Sequence, residues 1–144
     1  MDVIVLTGKV NSGKTTTLNK LFEKIHKLQN AEILRKNEIE GNRDFSAILK
    51  IDSIKIGIIS YGDYLVQFKE VFNEFEKEQV DILICAARSK ETDNSVFQFV
   101  FRNLENKHNI ELALTTFPSK DLDRMADKIA NAIVLILRNR YLSI

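Results

Sequence analysis

Eight residues constrain this chain more than anything else in it: Gly8-Lys9-Val10-Asn11-Ser12-Gly13-Lys14-Thr15, a complete G-x-x-x-x-G-K-[ST] spacing directly behind the apolar run Val3-Ile4-Val5-Leu6. The run reads as a short buried strand and the segment from Thr15 to Leu28 as a helix, the strand–loop–helix context that the spacing requires. Gly8 and Gly13 carry no Cβ and tolerate positive φ, so the backbone can wrap closely around an anion. The amides of Val10 through Lys14 would converge at the positive end of a helix dipole, forming a nest for phosphate. Lys14 would set its ammonium between a β- and a γ-phosphate, and the Thr15 hydroxyl would serve a Mg²⁺ ion, with Thr16 beside it in the first turn. The plainer alternative is a glycine turn that starts a helix. It gives no reason for Lys14 there, where a cation opposes the dipole.

At 144 residues the chain is expected to form one domain spanning 1–144. That length buries about two-thirds of the unfolded surface without help from metal or disulfide. A hydrophobic share of 44% and a charged share of 28% exclude the disordered class. The formal net charge of +1 leaves no basic field to mark a nucleic-acid partner. Cys85 lies inside an apolar run and reads as a small buried hydrophobe. Asp2 follows Met1 with no basic leader, and no window approaches 18 uninterrupted apolar residues, so neither a signal peptide nor a membrane span is expected. The cytoplasm is the expected compartment.

Short apolar strands alternate with amphipathic helices, which predicts an α/β layered fold. Leu18, Leu21, Phe22, Ile25 and Leu28 fall on one face of the first helix. Asn30 to Asp44 is polar, carries the turn signal Gly41-Asn42, and reads mostly as loop. Alternation from Phe45 to Ile51 and again from Ile54 to Ile58, around Asp52-Ser53, predicts an antiparallel hairpin. Tight pairing there would set Lys50 opposite Lys55, a like-charge pair with a small cost that a slipped register or wider turn would remove. A helix opened by Gly62-Asp63 would bury Leu65, Phe68, Val71, Phe72 and Phe75, and Val80–Ala86 reads as a central strand. A helix near Asn94–Glu105 would bury Val96, Phe97, Phe99, Val100, Phe101 and Leu104. A last strand at Ile110–Thr115 and a helix from Ser119 to about Arg138 complete the chain. The expected architecture is a three-layer sandwich: a mostly parallel five-stranded sheet with one antiparallel hairpin strand and helices on both faces.

Ligands of an open parallel sheet sit beyond the carboxyl ends of its strands. That rule collects Ser60-Tyr61-Gly62-Asp63, Arg88-Ser89-Lys90-Glu91 and Thr115-Thr116 at the edge occupied by the Gly8–Thr15 loop. The antiparallel hairpin strand starts at the same edge, so Glu38, Glu40, Arg43 and Asp44 border it, while Asp52 is a turn residue at the far end. Mg²⁺ at such a loop is usually held by Thr15 and an acid closing an aliphatic strand. Here Ile58-Ile59 is followed by Ser60, and the acid comes at Asp63. Asp63 either serves the metal and the attacking water or caps its helix, a contribution of about 1 kcal/mol. Arg88 is either a cation on the transferring phosphate or nucleotide, or a solvated arginine. Glu91 and Asp93 are lesser candidates, and His26 and His108 show no metal-ligand spacing.

The motif Gly8–Thr15 in this strand–helix order resembles the P-loop NTPase superfamily. The hairpin after the first helix and the turn containing Gly62 look like the layout of small GTPases, which implies that Asn30–Asp44 corresponds to their nucleotide-sensing switch. Their metal-binding D-x-x-G turn is replaced by Ser60-Tyr61-Gly62, and their N-K-x-D guanine reader is absent: Asn106-Lys107-His108-Asn109 lacks the final Asp. Small nucleoside and metabolite kinases are similar in compactness and in an arginine after a later strand, but their arginine-rich lid has no counterpart here. The resemblance implies a small Mg²⁺-dependent NTPase with catalysis resting on Lys14, Asp63 and Arg88. ATP is the expected nucleotide by default, with GTP left open. A nucleotide or metabolite kinase with Asp63 as acceptor base, and a non-catalytic nucleotide-binding adaptor, are the alternatives.

Overall fold

The computed structural model describes residues 1–9, 12–39, 43–61, 65–88, 95–96, 99–100, 109–113 and 119–142. Within them lie β1 (Asp2–Gly8), α1 (Lys14–His26), β2 (Ala31–Glu38), β3 (Phe45–Ile51), β4 (Ile54–Ile59), α2 (Leu65–Lys77), β5 (Ile82–Arg88), β6 (Asn109–Ala113) and α3 (Ser119–Arg140). The strands form one six-stranded sheet in the order β2-β3-β4-β5-β1-β6. β4–β5, β5–β1 and β1–β6 pair in parallel, whereas β2–β3 and β3–β4 pair antiparallel. The sheet is therefore mixed and six-stranded, not mostly parallel and five-stranded. The difference is β2, which occupies most of the stretch expected to be loop.

Strand β2 escaped recognition because its polar residues do the work of apolar ones. Arg35 stands over the Phe75 ring at 5.8 Å and pairs with Glu74 of α2 at 3.1 Å and with Glu78, just after α2, at 2.6 Å. Lys36 reaches over the Phe22 and Phe45 rings at 4.4 and 5.1 Å. A guanidinium or ammonium over an aromatic face is attracted by the ring quadrupole, so charged residues can pack on this apolar surface. The strand also shifts register between Ile33 and Arg35, leaving Leu34 as an extra residue against β3.

The hairpin forms as expected, with Lys50 directly opposite Lys55. The clash is relieved because Lys55 Nζ donates to the Glu78 carbonyl at 2.9 Å and its backbone N–H donates to Asp81 Oδ2 at 2.8 Å. Asp52 turns the corner at φ 53°, a left-handed conformation that Asp tolerates better than most residues.

Burial on β1 and β5 is continuous, yet successive residues belong to different cores, as the strand period demands. Ile4, Leu6, Ile82, Ile84 and Ala86 join Leu18, Leu21, Phe22 and Ile25 of α1 and Ala130, Ile133 and Leu137 of α3. Val3, Val5, Leu83, Cys85 and Ala87 join Phe68, Phe72 and Phe75 of α2, together with Val96 and Val100. Complete burial pushes the Cys85 thiol pKa far up, so it behaves as the small hydrophobe expected. The chain after β1 thus covers one core and the chain after β5 the other. Adjacent strands whose continuations part in this way leave a crevice beyond their carboxyl ends. Gly8 and Arg88 are register partners at that edge.

Candidate phosphate and metal site

The loop enters α1 through Gly13, whose φ of 93° and ψ of 15° lie in the left-handed region that favours glycine. A second constraint acts at the same residue, since a Cβ there would stand 2.8 Å from Leu122 Cδ1 of α3. The Gly13 carbonyl accepts from the Thr17 amide at 2.8 Å and from Thr17 Oγ1 at 2.7 Å, which starts the helix. Among the described residues no side chain caps α1, and its first turn contains no acid. A Ser, Asp or Asn cap would contribute about 1 kcal/mol by satisfying the first amides. Leaving them uncapped suits an anion arriving from outside.

Lys14 sits in that first turn, where the helix dipole disfavours a cation by about 0.3–1 kcal/mol. The loop offsets this locally. Lys14 Nζ donates to the carbonyls of Gly8 and Lys9, each at 2.8 Å, and lies 3.4 Å from Ser12 Oγ. Hydrogen bonds to a charged group contribute about 1.5–3 kcal/mol each, so the two carbonyls outweigh the dipole. The loop folds around the ammonium rather than expelling it. Ser12 N also donates to Lys9 O at 3.2 Å, closing the turn.

Thr15 Oγ1 donates to Asp44 Oδ1 at 3.0 Å, across 29 residues of chain. Ser60 Oγ donates to the same oxygen at 3.0 Å and accepts from the Phe45 amide at 2.8 Å. The register explains the meeting: β3 runs against β4, so Ser46 pairs with Ile59 and the start of one strand lies beside the end of the other. Asn19 Nδ2 donates to both the Thr15 and Arg43 carbonyls, at 2.9 and 3.1 Å, while Arg43 Nη1 makes a long 3.5 Å contact to Thr16 Oγ1. The entry to β3 is pinned to the opening turns of α1. Tyr61, buried next to Ser60, has its pKa raised by burial, so it keeps its proton at ordinary pH and is no base there.

Of the residues that the sequence assigns to the site, Gly8 ends β1, Lys9, Ser12 and Gly13 lie between β1 and α1, and Lys14, Thr15 and Thr16 open α1. Arg88 is exposed at the end of β5 beside Gly8. Val10, Asn11, Glu40, Asp63, Glu91, Asp93 and His108 lie outside the described residues, as do Thr115 and Thr116. His26 is exposed near the end of α1, remote from the loop in sequence. Asn19 and Leu122 carried no signal in the sequence beyond ordinary helix positions, whereas Ser60 was placed at this edge by the strand-end rule without a role of its own. Asp44 was placed there too, through the rule that an antiparallel strand starts where its neighbour ends.

Among the described residues no three His, Cys, Asp or Glu side chains group as a metal cage. Thr15 and Asp44 offer hard oxygen donors instead, the chemistry that suits Mg²⁺. A cavity of about 190 Å³ lined by Leu34, Arg35, Ile48, Lys55 and Glu78 involves the opening of β4, away from this edge. No helix among the described residues is long and apolar enough to cross a membrane. Comparison with protein-family models, curated proteins and solved structures finds no match to any part of the chain.

Proposed function

We propose that this chain is a small Mg²⁺-dependent P-loop nucleotide-binding protein that hydrolyses ATP, built as a three-layer sandwich with its site at the carboxyl edge of the sheet. One observation carries the reading: Lys14 Nζ is folded back onto the Gly8 and Lys9 carbonyls at the start of a helix that has no side-chain cap among the described residues, which keeps an ammonium close to the first α1 amides. A simple turn has no use for that arrangement, whereas a triphosphate tail matches it in charge and in donor count. The loop amides and Lys14 hold the phosphates, and Thr15 offers its hydroxyl oxygen to Mg²⁺, which neutralises phosphate charge when bound. Arg88, register partner of Gly8, supplies a further cation at the same edge. Phosphoryl transfer asks little covalent chemistry of a protein, so positioning and charge neutralisation suffice.

Thermal shift with ATP, ADP, GTP and GDP, each with and without Mg²⁺, tests the binding. Ligand at about 100 times its Kd stabilises a fold by about 2.7 kcal/mol, well within reach of the measurement. Lys14→Ala should weaken nucleotide binding by about 10- to 100-fold, since a hydrogen bond to a charged group is worth about 1.5–3 kcal/mol, while the unliganded protein still folds, at a lower melting temperature because the Nζ bonds to the Gly8 and Lys9 carbonyls are lost. Unchanged affinity in that variant would remove the site assignment. Phosphate release without any acceptor marks a hydrolase. ADP formation that depends on an added acceptor marks a kinase, and tight binding without turnover an adaptor.

A further inference from the structure

We infer that Asp44, delivered at the start of antiparallel β3, is the carboxylate of a divalent-cation site shared with Thr15, and that Ser60 is its positioning residue; this rests on the nucleotide reading above. Where an aliphatic strand should end in an acid, β4 ends in Ile59 and continues into Ser60. The acid comes instead from the neighbouring strand, and the pairing of Ser46 with Ile59 brings it to the same point of the edge. Two strands share a task that one usually performs.

The hydrogen bonds assign the parts. A hydroxyl has one proton and two lone pairs. Ser60 uses its proton on Asp44 Oδ1 and accepts from the Phe45 amide, so both of its functions serve to hold the carboxylate in place. Thr15 also directs its proton to Asp44 Oδ1, and accepting capacity on its oxygen remains for a cation. Two oxygen donors of the hard type, one of them anionic, thus meet beside the loop that holds the phosphates.

Electrostatics makes the assignment testable without turnover. A carboxylate next to a triphosphate repels it unless a cation stands between them. Asp44 therefore opposes nucleotide binding when metal is absent and supports it when metal is present. Asp44 follows Arg43, whose carbonyl is held by Asn19, and the Asp44 carbonyl accepts from the Ile39 amide at 2.9 Å. These contacts fix the entry to β3, and with it Asp44, beside the opening turns of α1.

The experiment titrates ATP into the full-length chain by calorimetry, once in EDTA and once in Mg²⁺, with Mn²⁺ binding followed in parallel by electron paramagnetic resonance. Wild type should bind more tightly with Mg²⁺. Asp44→Asn, which keeps an Oδ1 acceptor for both hydroxyls, should lose about 10-fold or more of that gain and of nucleotide-dependent Mn²⁺ binding. Its affinity in EDTA should equal or exceed that of wild type, a result that a merely structural Asp44 would not give. Ser60→Ala should lose part of the gain, providing a second route if Asp44→Asn folds poorly, and Asp63→Asn should keep it. A full Mg²⁺ gain in Asp44→Asn, or its loss in Asp63→Asn with Asp44→Asn unaffected, overturns the assignment while nucleotide binding stands. Wild type binding no nucleotide in either buffer overturns the phosphate reading and this site with it.

Discussion

Where α1 and α3 cover the sheet, the buried layer is mostly aliphatic, with Phe22 and Phe45 in edge contact at 5.7 Å, and the helices are latched by Lys20–Asp123 at 3.0 Å and Lys24–Asp127 at 2.9 Å. Where α2 covers it, the layer is aromatic: Phe72 stacks 6.2 Å from Phe68, and Phe99 stands edge-on to both at 5.0 and 6.1 Å. The site belongs to the first side. The loop continues into α1, and Leu122 of α3 packs against Gly13. No residue whose contacts build the phosphate and metal site belongs to α2. Stability and ligand binding should therefore come apart according to which side is damaged.

The largest effect is expected on the aromatic side. Phe72→Ala should destabilise the fold by about 3–5 kcal/mol, because a fully buried ring leaves a cavity that its neighbours fill only in part. The added stability from Mg²⁺ and ATP should persist, measured as the shift of the urea midpoint with ligand. A vanished ligand shift would show that the two sides are coupled. Next comes Gly13→Ala on the site side. A left-handed non-glycine residue costs about 1–3 kcal/mol, and Leu122 must also move. Here the ligand shift should fall together with the melting temperature, and a variant that melts lower but binds normally would contradict the placement of the loop.

The smallest effect concerns Tyr141, which follows α3 and whose hydroxyl donates to Asp2 Oδ2 at 2.7 Å at the opposite end of β1. Burial, with help from the Asp2 hydrogen bond, pushes its pKa from 10.0 up to about 12. A folded-state pKa above the unfolded one contributes stability that is present below pH 10 and lost as pH rises toward 12. Wild type should exceed Tyr141→Phe in stability at pH 7 by a small margin that shrinks between pH 10 and 12, followed by urea denaturation across that range. A margin that grows with pH would mean the sign is wrong.

How much of this could be read in advance depends on how far apart in the chain the cooperating residues lie. Gly13, Lys14 and Thr15 act within one turn, so their spacing alone expresses the geometry. The β3–β4 hairpin is similarly local, and its alternation expresses the pairing, while the choice between the tight register that opposes Lys50 and Lys55 and a slipped one was left to the structure. Strand β2 was hidden because Arg35 and Lys36 set their charged groups over Phe75, Phe22 and Phe45, contacts that depend on residues distant in the chain. The strand-end rule put Thr15, Asp44 and Ser60 at one edge, but the hydrogen bonds that join them were not legible. Only strand register brings three separate segments together, and the motif that expects an acid at the end of a strand looks along one segment at a time.

The displaced residue in β2 has a further consequence. A strand at the border of a sheet exposes unpaired amides and carbonyls that another chain could extend, and Ile33 and Leu34 are 37% and 42% exposed there. Because Leu34 falls out of step with β3, the strand bends and its rim is not a straight template. Arg35 and Lys36 then place two charges just past the bend. Sticky border residues are thus kept from recruiting more strands by a backbone defect, and straightening it would be expected to favour fibrous self-association.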